Sequence, residues 1–424
     1  MTWILQGISG LIVFYACAFG LSESRRSINY KFVLIGLGIQ VPLAMILLQG
    51  GVLDGFFVGL SNAVLALRDA TAVGTSFVFG YLGNASVPFQ MKPGMAESHH
   101  GFILAFQALP MMIVVNALSM LLFYLKVIPF LVKGLSWVFE KVLGIGGALG
   151  LCTSAEIFLG QTEAPLLIKP YLAKLSRGEL FMVMALGMAT SSVPAMVLYS
   201  GILADIIPNT MGHIFSAILI NIFVVLTLAQ VMVPPAKEKT AGEIKTPYQF
   251  SGIIEAISRG TMDGMMIFAS VTVIILVFIA LVSLLNQFLG LLTSYHLLPL
   301  VSGVSLTIEG ILGYVLAPVA WLMGIPWEEA LAAGRLLALK TVLNELIAYM
   351  DFASSPQLFT EKSQLVVTYA LCSFANFCSI GIQIAGFGLM VPERRADIAS
   401  MANKSLAAGF LASCITGGLI GLFF

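Results

Sequence analysis

Eight long apolar stretches constrain the fold of this chain more than any other feature of its sequence. They lie at about 3–21, 33–50, 102–125, 178–204, 212–233, 264–290, 364–390 and 405–424. Each is close to the ~20 residues that a helix needs to cross a bilayer. The composition agrees, because 59% of the 424 residues are apolar and 10% are charged, whereas soluble domains carry about 25% charged residues. The sequence therefore predicts an all-α polytopic membrane protein with eight transmembrane helices.

The basic residues predict its orientation, since cytoplasmic segments of membrane proteins are enriched in Lys and Arg. If the N-terminus is outside, most of the 21 basic residues fall in five inside segments. These segments are 23–31, 126–141, 169–177, 237–259 and 394–404. We therefore expect a multi-pass protein of the cell inner (plasma) membrane with both termini outside.

Two further apolar regions, 144–168 and 327–352, do not fit as complete spans. The predicted orientation requires the first to enter from the inside and the second from the outside, and each to return to its own side. Each region has a carboxylate at its expected turn, Glu163 and Glu345. We therefore predict two re-entrant hairpins.

Hairpins that enter from opposite faces are typical of inverted repeats. Residues 102–233 and 264–424 both predict a spanning helix, a shorter piece, a hairpin, a broken helix and a spanning helix. Residues 1–101 would supply scaffold helices and an exterior loop. Residues 234–263 would form a cytoplasmic linker and an interfacial segment.

Polar residues interrupt one helix of each repeat. In the first, Thr190-Ser191-Ser192-Val193-Pro194 contains a proline, which removes a backbone donor and breaks a helix. The second interruption, 374–379, has no proline and indicates a break less strongly. Two other apolar pieces are interpreted as interfacial or re-entrant: 53–67, which is short and broken by glycines, and 308–324.

The stretch EIFLGQTEAPLLIKP at 156–170 places two carboxylates and two prolines inside an apolar region. An ionisable side chain at membrane depth costs several kcal/mol unless it has a partner or lines a polar cavity. We interpret this stretch as part of a ligand site. The polar side chains expected where the repeats meet are Gln161, Thr162, Glu163, Asn344, Glu345, Asn376 and Ser379.

These side chains offer amides, hydroxyls and carboxylates, and none is a nucleophile activated by a base. The sequence therefore predicts neither an enzyme nor a bound cofactor. An anionic ligand would need arginine, and only Arg335 is close to a predicted turn. The ligand that the pattern indicates is polar, uncharged and rich in hydrogen-bonding groups, and Phe374 can stack on a flat ring.

Three segments together resemble the signature segments of the concentrative nucleoside transporters. They are GQTEAPLLIKPY (160–171), LKTVLNELIAY (339–349) and CSFANFCSIGI (372–382). The resemblance runs over essentially the whole chain. It implies a homotrimer in the lipid bilayer, with no nucleic-acid partner, and cation-coupled import of a nucleoside such as uridine by an elevator-type movement.

The resemblance also implies roles for individual residues. Gln161, Thr162 and Glu163 would contact the nucleobase side of the substrate. The ribose hydroxyls would be held by three residues, with Phe374 nearby: Glu345, Asn376 and Ser379.

The cation site implied by the resemblance contains one departure. Sodium-coupled relatives carry asparagine where this chain has Glu156, whereas Thr190 and the carbonyl groups of Leu159 and Ser191 match the pattern. Glu156 is either a stronger Na⁺ ligand, a proton carrier in an H⁺ symporter, or a sign that the site no longer couples. Because the rest of the site is intact, we favour Na⁺ slightly over H⁺. The alternatives for function are an elevator carrier of another small neutral polar solute and an intramembrane enzyme.

Overall fold

The computed structural model describes residues 2–49, 54–83, 103–236, 238–242, 250–294 and 307–424. Within those residues the regular structure is entirely helical. In the first half the α-helices are α1 (Thr2–Gly20), α2 (Tyr30–Gln49), α3 (Asp54–Phe79), α4 (Leu104–Gln107), α5 (Pro110–Tyr124), α6 (Val127–Leu143), α7 (Gly147–Ala155), α8 (Glu163–Leu166), α9 (Lys169–Leu172), α10 (Arg177–Ala189), α11 (Val193–Leu203) and α12 (Thr210–Met232). In the second half they are α13 (Ile253–Ser294), α14 (Ile308–Leu322), α15 (Trp327–Val342), α16 (Glu345–Ser354), α17 (Glu361–Leu371), α18 (Phe377–Met390) and α19 (Arg395–Phe423).

Seven helical segments of the described residues are long and apolar enough to span a membrane, and an eighth if one bent pair is counted. The bent pair is α14 and α15, and the chain direction bends by 119° between them. Gly324 lies at this bend with φ +94, a conformation that glycine adopts without strain. The prediction of an all-helical polytopic membrane protein is confirmed.

Two boundaries differ from those predicted from the sequence. Residues 54–67 are not broken by their glycines, because they belong to the continuous 26-residue helix α3. The linker predicted at 234–263 ends early, since α13 begins at Ile253 and runs for 42 residues. At ~1.5 Å per residue, α13 is about 63 Å long, roughly twice the hydrocarbon thickness of a bilayer. The exterior loop predicted within 84–101 lies outside the described residues.

The two expected helix breaks are present, and each has its own cause. The first separates α10 from α11, and Pro194 occupies the first turn of α11, where a missing N–H costs nothing. The second separates α17 from α18. There Asn376 caps α18, its side-chain oxygen accepting the backbone N–H of Ser379 at 2.8 Å. Proline in the first turn thus favours a new helix start at the first break, and a capping asparagine favours one at the second.

Small residues allow helices from the two halves to approach closely. A Cβ added to Gly264 of α13 would lie 2.8 Å from the Cα of Ile113 in α5, and one added to Gly409 of α19 would lie 2.7 Å from the Cβ of Met188 in α10. Helices without bulky side chains at the contact pack with their backbones near each other. The two halves of the chain therefore form one interdigitated structure around the polar residues.

A cluster of charges joins three segments at one end of the molecule. The Glu23 carboxylate accepts hydrogen bonds from Arg177 at 3.0 Å and from Lys404 at 2.8 Å. Asp397 lies 3.2 Å from Arg177 and 2.8 Å from Arg394. These residues come from three of the five predicted inside segments, which the structure thus brings together.

Candidate substrate and cation site

The turn between α15 and α16 positions Glu345. Asn344 caps α16, its side-chain oxygen accepting the backbone N–H of Ile347 at 3.0 Å, and Glu345 is the first residue of that helix. The Glu345 carboxylate accepts the Tyr199 hydroxyl at 2.6 Å and the Asn376 side-chain amide at 2.9 Å. Three helices, α11, α16 and α18, are therefore joined at a carboxylate that is only 5% exposed.

The loop between α7 and α8 positions the other polar group. Glu163 begins α8, and its carboxylate accepts the backbone N–H of Gly160 at 3.3 Å. Gln161 packs against Gly187 of α10, where an added Cβ would lie 2.7 Å from the Gln161 Cβ. Among the described residues the side-chain oxygen of Gln161 has no hydrogen-bond partner, which leaves an acceptor free for a ligand.

One cavity, of about 190 Å³, collects these side chains. All seven residues predicted to contact substrate line it: Gln161, Thr162, Glu163, Glu345, Phe374, Asn376 and Ser379. The described residues that line it include two carboxylates and no lysine or arginine. Ile267 and Val271 of α13 supply an apolar wall. The cavity thus combines several hydrogen-bonding groups with apolar surface, as small-molecule sites do.

Glu156 lies at the end of α7 and is fully buried. One carboxylate oxygen is 3.0 Å from the Thr190 hydroxyl, which connects the loop after α7 to the first helix break. The other carboxylate oxygen has no hydrogen-bond partner among the described residues. Leu159 and Ser191, the remaining predicted cation ligands, are also buried. Oxygen ligands of this kind suit a hard cation, and the free carboxylate oxygen provides a place for one.

The buried oxygens around Glu156 and Thr190 are connected to the cavity by a main-chain hydrogen bond. The backbone N–H of Phe374 donates to the carbonyl oxygen of Thr190 at 3.1 Å. This bond joins the first helix break, which contains Thr190, to the second, which contains Phe374.

Two buried residues near the site were not singled out from the sequence. Tyr199 donates to Glu345. The signal for it in the sequence is a hydroxyl group within a largely apolar helix. Lys340 is fully buried, and its ammonium group donates to the carbonyl oxygen of Ala370 at 2.6 Å and to Ser413 at 2.8 Å. A lysine inside an apolar segment indicates a functional or paired residue. The count of basic residues that predicts membrane orientation does not consider this signal.

A set of apolar spanning helices around a cavity lined by polar side chains is typical of membrane transport proteins. Three family profiles match the chain: "Na+ dependent nucleoside transporter N-terminus" at 9–82, "Nucleoside recognition" at 105–206 and "Na+ dependent nucleoside transporter C-terminus" at 213–421. The chain belongs to the concentrative nucleoside transporter family.

Individual relatives agree. The nucleoside permease NupC of Helicobacter pylori is 30% identical over 99% of this chain and 97% of its own length. The uncharacterized transporter YutK of Bacillus subtilis is 34% identical over 99% of both chains. The inward-facing, substrate-bound structure of CNTnw superposes with a TM-score of 0.87 at 29% identity, covering 99% of this chain and 98% of that one.

Proposed function

We propose that this protein imports nucleosides across the plasma membrane by symport with a cation. The observation that carries the proposal is the single cavity lined by all seven predicted substrate residues and by no basic side chain among those described. A nucleoside is neutral, has ribose hydroxyls that bond to carboxylates and amides, and has a flat base. These properties match the polar and apolar parts of the cavity.

Within the cavity, Glu345, Asn376 and Ser379 would hold the ribose. Glu345 is suited to this role because Tyr199 and Asn376 fix its carboxylate, so that little ordering remains when a substrate hydroxyl binds. On the opposite side of the substrate, Gln161, Thr162 and Glu163 would contact the base, and the free oxygen of Gln161 would accept a base N–H.

The coupling cation would bind between Glu156 and the first helix break. The Thr190 hydroxyl has one hydrogen, yet it lies 3.0 Å from the Glu156 carboxylate and 2.9 Å from the carbonyl oxygen of Leu186. When the hydroxyl donates to Leu186, two oxygens face each other without a hydrogen, and a cation between them offsets their repulsion. We propose Na⁺, because the ligands are all oxygens; a proton on Glu156 is the alternative.

Cation binding would order the loop between α7 and α8 and complete the nucleoside site. Only the fully loaded transport domain would then cross the membrane, by an elevator-type movement against a scaffold. One feature supports a scaffold that is a homotrimer. The helix α13 presents large apolar side chains such as Leu276 and Leu284, both more than half exposed, to lipid or to other copies of the chain.

The charge cluster at Glu23 supports an orientation with both termini outside. Its basic residues, Arg177, Arg394 and Lys404, lie together at one end of the molecule. Positive charge is enriched on the cytoplasmic side of membrane proteins, so this end would face the cytoplasm.

Uptake of radiolabelled uridine into proteoliposomes tests the proposal. An imposed Na⁺ gradient and an inward proton gradient are applied separately, with unlabelled nucleosides, sugars and amino acids as competitors. We expect accumulation of intact uridine driven by Na⁺ and blocked only by nucleosides. Accumulation driven by protons alone would make Glu156 the proton carrier. Block by a different solute would indicate another carrier, and release of free base would indicate an enzyme.

A further inference from the structure

Asn221 is a fully buried amide in the middle of the apolar helix α12. Its side-chain nitrogen donates to the carbonyl oxygen of Ala189 and to that of Cys372, both at 2.9 Å. Its side-chain oxygen accepts the hydroxyl of Thr416 in α19. An amide nitrogen has two hydrogens, so this residue uses its full donor capacity on two carbonyl groups.

Both carbonyl groups belong to the helix breaks. Ala189 is the last residue of α10 and immediately precedes Thr190, whereas Cys372 caps the end of α17, two residues before Phe374. The last carbonyl groups of a helix have no partner within the helix. At these two breaks, a single side chain from a third helix supplies a partner to each.

The Asn221 contacts add to the direct bond between the breaks, from the N–H of Phe374 to the carbonyl oxygen of Thr190. The first break carries the proposed cation ligands Thr190 and Ser191, and the second carries the substrate residues Phe374 and Asn376. A shift of one break relative to the other would therefore stretch bonds to Asn221.

We propose that Asn221 is a positioning residue that transmits cation binding at the first break to nucleoside affinity at the second. This inference rests on the proposed function, since it requires both ligands. Two ligands that affect each other's affinity do so through a coupling free energy, and the effect is reciprocal. In this protein the hydrogen bonds of Asn221 would carry part of that coupling, although the residue touches neither ligand.

The test measures equilibrium binding of radiolabelled uridine to the purified protein in detergent, in saturating NaCl and in choline chloride at the same ionic strength. The ratio of the two dissociation constants is the coupling factor. For the unmodified protein we expect a factor of roughly 5 to 150. Asn221→Leu, which has a similar volume and no donors, should reduce the factor several-fold, with most of the lost affinity seen in NaCl. Asn221→Ala removes the donors without adding a charge, so it should do the same if the leucine variant fails to fold.

Gln40→Leu is a matched control. Gln40 is 2% exposed, donates to the carbonyl oxygen of Phe223 at 3.2 Å and to Thr227 at 3.0 Å, and accepts the Tyr15 hydroxyl at 2.8 Å. Gln40→Leu and Asn221→Leu therefore each remove three hydrogen bonds of a buried side chain. The bonds of Gln40 lie away from the helix breaks. Its coupling factor should stay at the unmodified value.

Three results would overturn the role of Asn221 while leaving nucleoside binding intact. The first is a folded Asn221 variant with an unchanged coupling factor. The second is equal weakening of uridine binding in both salts, which is the signature of a purely structural residue. An unmodified protein that binds uridine with the same affinity in NaCl, in choline and at low pH would also overturn it, because no coupling exists to transmit. Failure of the unmodified protein to bind uridine at all would instead overturn the proposed function.

Discussion

The Asn376 side-chain amide donates to the Glu345 carboxylate at 2.9 Å, although the two residues are 31 positions apart and lie at the starts of different helices. Asn376 also caps α18 through its side-chain oxygen. One amide thus shapes the second helix break and fixes the carboxylate that faces the cavity.

Replacing Glu345 with alanine should reduce nucleoside uptake by on the order of 100-fold or more. Hydrogen bonds to a charged group contribute about 1.5–3 kcal/mol each, and the variant would lose those to the ribose. Initial rates of uridine uptake measure the effect, and size-exclusion chromatography in detergent checks folding. Glu309→Ala is the control, since Glu309 bonds to Asn286 and does not line the cavity. Normal uptake by Glu345→Ala would contradict the assignment of the site.

Replacing Gly187 with alanine should raise the KM for nucleoside without affecting the amount of folded protein. The new Cβ would lie 2.7 Å from the Gln161 Cβ and 3.2 Å from the Gln383 amide, so Gln161 must move from its place in the cavity. Gly201→Ala in α11 meets nothing within 4 Å and should leave KM unchanged. If both variants transport with the same KM, Gln161 does not position the substrate.

Replacing Glu156 with glutamine should raise the Na⁺ concentration for half-maximal uptake by about tenfold or more. The amide keeps an oxygen ligand but loses the charge that attracts the cation, and tenfold corresponds to about 1.4 kcal/mol. Uptake is measured against external Na⁺ at constant ionic strength. Thr190→Val, which removes the neighbouring hydroxyl, should shift the same parameter. An unchanged Na⁺ response in Glu156→Gln would argue against cation binding at this residue.

The charge cluster at Glu23 predicts a pH-dependent contribution to stability. The hydrogen bond from Arg177, followed by that from Lys404, lowers the pKa of Glu23 from 4.5 to about 2. A pKa that is lowered on folding stabilises the protein above the unfolded value, and this stabilisation is lost as the pH falls from about 4.5 through about 2. Glu23→Gln should therefore lower the Tm near pH 7, and the difference from the unmodified protein should shrink toward pH 3.

Thermal unfolding in detergent, followed by intrinsic fluorescence, measures this difference. Molar salt is the control, because it screens partly exposed ion pairs and should reduce the effect at neutral pH. A difference in Tm that stays constant from pH 7 to pH 3 would show that the Glu23 carboxylate contributes no charge interaction.

Most of the fold could be predicted because its causes are local. Lengths near 20 apolar residues predict the helices, and Pro194 predicts the first break. The glycines at 55 and 59 misled the prediction for α3, because glycine weakens a helix in water, whereas a bilayer leaves the backbone no other partner. The second break depends on Asn376, whose capping role is visible only once its helix is known to begin there.

The site could be predicted as far as its polar residues stand out from apolar surroundings. Gln161, Glu163 and Glu345 were found in this way, and the family resemblance added their roles. Tyr199, Lys340 and Asn221 were missed, since their importance arises from partners more than 29 positions away. No periodicity within one helix reveals which carbonyl groups of another helix lack a partner.

The bond between Phe374 and Thr190 uses only main-chain atoms. Any side chain can therefore be exchanged at either position without deleting it, and among the natural amino acids only proline at 374 lacks the hydrogen that it requires. Comparison of sequences would therefore not reveal this bond, because neither side chain takes part in it. This hydrogen bond between the two halves of the protein depends on the backbone fold alone. Side-chain substitutions that preserve the fold therefore also preserve the bond.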